Sequence, residues 1–135
     1  MRLFLVKTNS GLFPAYAADA DELAKLPNGE VMECELRKAR NYKFHRKFFA
    51  LIKVGFEAQR MFDEITSYRY WITMKAGHYK MYETEKGTMF LPDSISFDNM
   101  DDLEFKELFR DVQNAIIREH KLTAEEVEEN LELFL

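Results

Sequence analysis

Between Arg37 and Lys53 the chain reads Arg-Lys-Ala-Arg-Asn-Tyr-Lys-Phe-His-Arg-Lys-Phe-Phe-Ala-Leu-Ile-Lys. Phosphate binding needs several cations held on one surface, and Arg37, Lys38, Arg40, Lys43, Arg46, Lys47 and Lys53 supply them at helical spacing. Arg40, Arg46 and the helix N-terminal amides near Asn41 suit a grip on phosphate oxygens. Tyr42 and His45 are flat side chains of the kind that single-strand binders stack on unpaired bases. A plainer reading stands beside this one. A solvated basic face opposite a Phe-rich stripe is common in globular helices, and these cations could instead pair with acidic helices elsewhere in the chain. Phe44, Phe48 and Phe56 read as core residues on either account.

Other chemistries find less support. His45, His78 and His120 lie far apart, and none has a second His or Cys at metal-ligand spacing, so no metal site is expected. Cys34 has no neighbouring base and reads as a small buried apolar residue rather than a nucleophile. The five glycines are scattered, which rules out a phosphate-cradling loop. Asp101-Asp102 and Glu125-Glu126 fall where helix starts favour negative charge. A metal-dependent nuclease would need convergent carboxylates, and no spacing singles out such a set. The expectation is a non-enzyme with no cofactor.

The elements that must hold the basic segment can be read from periodicity. Asn41 to Phe62 predicts an amphipathic helix, with Phe44, Phe48, Leu51, Ile52, Gly55, Phe56 and Phe62 gathered on one side. Phe49 and Val54 break that pattern, which implies cover on more than one flank. Upstream, Leu3–Val6 and Leu12–Tyr16 predict a hairpin around Asn9-Ser10-Gly11. Ala18–Leu26 predicts a short helix stopped by Pro27-Asn28-Gly29. Glu30–Leu36 alternates as a half-buried strand does. Downstream, Ser67 is placed to N-cap a helix over Tyr68–Ala76 closed by Gly77, although its Tyr, Trp and Ile content also suits a strand. Tyr79–Glu83 and Thr88–Leu91 predict a second hairpin, and Ile95–Phe97 an extension of its sheet. Asp101–Glu119 is helical, and Thr123-Ala-Glu-Glu is a capping box opening a last helix with Val127, Leu131 and Phe134 as its contact face.

Together these predict an α+β fold over residues 1–135 as a single domain. It would have a small antiparallel sheet, a central basic amphipathic helix (about 41–62) and a helical C-terminal third. The chain has 135 residues, 47% hydrophobic, enough to bury a sizeable core. No apolar run approaches the ~20 residues that span a bilayer, and no signal peptide is expected. A single cysteine fits a reducing, cytoplasmic compartment. Net charge is −5, yet residues 37–60 carry eight Lys or Arg against one Glu. Residues 101–135 carry eleven Asp or Glu against four Lys or Arg. That polarity allows a local field to steer an anionic partner to an acidic protein. Apolar Leu133, Phe134 and Leu135 suggest either self-association or folding back onto the core.

The chain resembles a bacteriophage family of unknown function whose members occur in the replication and recombination region of temperate phage genomes. The resemblance runs through Asp19-Ala20-Asp21, Leu36 to Leu51, Ala76-Gly77-His78-Tyr79 and Ser94 to Asp101 leading into Phe105. Residues Arg40 to Ala50 are also similar to a stretch of the Orf (NinB) recombination proteins of lambdoid phages, with Phe44 and His45 where that family tends to have Gln and Asn. Those proteins bind single-stranded DNA as dimers and help load a recombinase. The resemblances imply a cytoplasmic protein of an infected or lysogenic bacterial cell. Its expected partners are single-stranded DNA or another nucleic acid, a host or phage recombination or replication protein, and a second copy of itself, with no membrane. The leading expectation is therefore a non-catalytic binder of single-stranded nucleic acid. The alternatives are a protein-interaction module that inhibits a host defence or nucleic-acid enzyme through its acidic C-terminal helices, and a metal-dependent nuclease.

Overall fold

The computed structural model describes residues 1–39 and 41–135. The chain divides into two compact units, Met1–Ala39 and Arg40–Leu135. Among the described residues the secondary structure is α+β, with five α-helices and two separate two-stranded antiparallel sheets where one small sheet was expected.

In the first unit, β1 (Leu5–Thr8) and β2 (Gly11–Pro14) form the expected hairpin, paired from Leu5 with Pro14 to Thr8 with Gly11. Gly11 takes a φ of +138°, open to glycine alone without strain. Helix α1 (Ala17–Ala24) follows, and its Asp19, buried, accepts a hydrogen bond from the Phe4 amide at 3.0 Å. That bond satisfies a carboxylate that would otherwise be costly to bury.

The strand expected over Glu30–Leu36 does not form. Alternation alone does not make a strand; backbone donors and acceptors need a partner. No strand pairs with this segment among the described residues, and Val31 and Leu36 are exposed. Cys34 is exposed too, not buried as its apolar character suggested.

The second unit is built on α2 (Tyr42–Glu57), whose Phe48, Leu51, Ile52 and Gly55 follow the i, i+3, i+4, i+7 rhythm into the core. Helix α2 ends five residues short of Phe62. The Gln59 side chain explains the stop: it donates to the carbonyls of Phe56 (3.1 Å) and Phe62 (2.8 Å) and accepts from the Phe62 amide (2.7 Å). This clasp turns the chain, and Phe62 then packs on Trp71 and Tyr68.

Residues 68–75 are helical: α3 spans Ile65–Lys75 with Ala76 as its C-cap, and Gly77 follows at φ +93°. Its N-cap is Glu64, not Ser67, because the helix begins three residues earlier. Strands β3 (Tyr79–Thr84) and β4 (Gly87–Pro92) form the second hairpin as read. Ile95–Phe97 does not extend that sheet; Phe97–Asn99 is a 3-10 turn that delivers Phe97 to the core. Helix α4 (Asp102–His120) is capped by Asp101, which accepts from the Glu104 amide at 2.8 Å. Helix α5 (Ala124–Phe134) opens on the Thr123–Glu126 capping box. The core lies between these helices, with Tyr68, Ile72, Val112, Ile116 and Val127 fully enclosed.

Candidate nucleic-acid interface

Helix α2 carries Lys43, Arg46, Lys47 and Lys53, and α5 packs against the same helix. At 100° per residue, Ala50 falls between Lys43/Lys47 on one side and Arg46/Lys53 on the other, and Val54 falls between Lys43 and Lys47. Both are buried, as the irregular hydrophobic pattern of α2 implied. The basic face is therefore split into two flanks.

On one flank, the Arg46 guanidinium donates to the main-chain oxygen of Leu135, and Lys53 Nζ lies 4.9 Å from the centre of the Phe134 ring. Phe134 is half-buried against the core, so the C-terminal residues fold back here. On the other flank, Lys43 and Lys47 are exposed, and Lys47 Nζ sits 4.7 Å over the Phe109 ring of α4.

This second flank forms one wall of a groove of about 310 Å³ between α2 and α4. Its floor is aromatic: Phe44 stacks on Phe105 with ring centres 4.3 Å apart and planes 6° from parallel. Phe109 lies beside Phe105 at 5.9 Å. Lys106 and Arg110, one turn apart, line the opposite wall with Asp102 and Gln113. Four cations thus surround an apolar floor that Asp102 also lines, and one of them, Arg110, meets Asp111 Oδ1 at 3.4 Å.

The remaining sequence candidates fall elsewhere. Arg37 and Lys38 belong to the Met1–Ala39 unit, where both are exposed and Arg37 meets Glu35 at 3.2 Å. Arg40 lies outside the described residues. Tyr42 is half-buried. His45 is half-buried within an aromatic cluster, stacked on Phe49 at 4.4 Å and edge-on to Phe97 at 5.4 Å. Asn41, at φ 53°, directs its amide to the carbonyls of Phe97 and Met100, both at 2.9 Å. That anchors the start of α2 beside the turn that leads into α4.

Lys106 and Arg110 escaped the sequence reading, which absorbed α4 into an acidic C-terminal third. A signal was present. Lys43-Phe44 and Lys47-Phe48 place cation and aromatic side by side one turn apart, and Phe105-Lys106 and Phe109-Arg110 repeat the device.

No group of three or more His, Cys, Asp or Glu side chains converges among the described residues. None of the described helices is long and apolar enough to cross a membrane. Residues 1–63 and 57–133 match the family described as Protein of unknown function (DUF1367), and the chain belongs to that family. No curated protein and no solved structure matches the chain.

Proposed function

We propose that this DUF1367 protein is a non-catalytic binder of single-stranded nucleic acid that serves phage recombination or replication. The observation that carries the reading is the state of its basic helix. Lys43, Lys47 and Lys53 are exposed, and none forms an ion pair among the described residues, although acidic α5 packs on the same helix. Cations left unneutralised on a rigid helix are available to phosphate, and their display there costs little ordering entropy on binding. The phage setting rests on the resemblance of residues 36–51 and 94–101 to phage proteins.

Anisotropy titrations with labelled single-stranded and duplex DNA of equal length test the reading. The expected result is tighter binding to the single strand and a drop of at least tenfold when Lys43→Glu and Lys47→Glu are combined. Equal binding by a folded double variant would refute it. A second reading, a protein-interaction module, draws on α5: Glu125, Glu128, Glu129 and Glu132 are all exposed. It requires a stoichiometric protein partner whose binding survives nuclease treatment and is lost when these glutamates are replaced by glutamine.

A further inference from the structure

We propose that the groove between α2 and α4 is a nucleotide subsite. It takes one unpaired base of a single strand while the cations on its two walls hold the flanking phosphates. The inference rests on the reading above and adds to it a second wall, supplied by α4, and a reason for preferring unpaired bases.

The groove pairs two features that a bare phosphate site does not need. Phosphate is met by charge alone, yet here Lys43, Lys47, Lys106 and Arg110 surround a floor of aromatic rings. Phe44 and Phe109 are only half-buried, so the floor is open to a ligand. A nucleotide has the matching character, a flat apolar face with an anion on either side, and base–aromatic contact is a main source of affinity for single strands. The volume, about 310 Å³, lies at the small end of ligand sites and suits one base with its sugar. A base within a duplex is stacked and cannot enter.

Asp102 sharpens the inference. A carboxylate in a phosphate site is a liability, but it accepts well from an exocyclic amino group such as that of cytosine. Bases carrying an amino group are therefore favoured over thymine.

The test compares three labelled strands of equal length in anisotropy titrations: oligo-dC, oligo-dT and an abasic strand. Oligo-dC should bind about tenfold more tightly than the abasic strand. Phe109→Leu, which keeps an apolar side chain in the floor, should shrink that difference, and Asp102→Ala, which removes the acceptor, should erase the preference for oligo-dC over oligo-dT. Lys106→Glu combined with Arg110→Glu should weaken all three strands about as much as reversal of Lys43 and Lys47. Circular dichroism confirms that each variant is folded. Equal affinity for oligo-dC and the abasic strand overturns the subsite but leaves the basic-helix reading standing, since the phosphates still bind. Full binding after reversal of Lys106 and Arg110 also overturns it. Failure of all three strands to bind at low salt sinks both.

Discussion

Gly55 sits inside a helix, where alanine is ordinarily the better residue by roughly 1 kcal/mol. In α2 that preference is reversed by Tyr68, whose hydroxyl oxygen stands 2.1 Å from where a Cβ would be, with Ile116 Cδ1 at 3.0 Å. Tyr68 cannot retreat easily, because it is fully buried and its hydroxyl is held 2.7 Å from His120 Nε2. Gly55→Ala should therefore destabilise the protein by about 3 kcal/mol in urea denaturation, the upper part of the range for overpacking. Tyr68→Phe in the same chain should recover part of that loss.

The Tyr68–His120 pair also sets a pH dependence. Burial pushes the Tyr68 phenol well above its ordinary range, with the Glu119 charge adding to it. Burial lowers the His120 pKa, against the smaller opposite pull of Glu119. Both shifts favour a protonated phenol beside a neutral imidazole. The unfolded chain takes up the proton first as pH falls through about 6.5, so this contribution to stability is complete above that pH and declines below it. Urea midpoints measured from pH 7.5 down to 5 should fall less steeply in His120→Gln than in the natural protein. Equal slopes would remove His120 from the account.

At the scale of elements, Asn41 is the joint that matters to the groove. Its two hydrogen bonds tie the start of α2 to Phe97 and Met100, next to Asp102 at the start of α4. Its left-handed backbone also suits asparagine better than alanine. Asn41→Ala should cost about 2 kcal/mol of stability. It should also weaken single-strand binding without altering any cation, which separates positioning from charge.

The elements legible in the sequence were those fixed by local chemistry. Both hairpins and the Thr123 capping box need only neighbouring residues to form. Three features depended on distant partners and were misread or missed. Glu30–Leu36 has a strand's alternation without a strand beside it. The end of α2 is set by a side-chain clasp at Gln59, not by glycine or proline. Lys106 and Arg110 become part of the basic site only because Phe44 and Phe105 stack and draw α4 against α2.

At the scale of the whole molecule, the net charge of −5 would by itself repel nucleic acid. What counts is where charge sits. The acidic surplus lies in residues 101–135, yet the groove takes the two cations Lys106 and Arg110 from that same stretch. Association should therefore be steered locally by the groove and be strongly damped by salt, within a screening length of about 10 Å at 0.1 M. On this proposal the exposed cations on α2 meet the phosphates of a single strand. Its most direct test is the slope of log K against log salt for a single strand between ~50 and ~200 mM, measured for the natural protein and for Lys43→Glu with Lys47→Glu. The slope should be steep and negative and become shallower by about 1.4 in the double variant, roughly 0.7 for each lost phosphate contact. A slope near zero, or one unchanged by the double reversal, would contradict it.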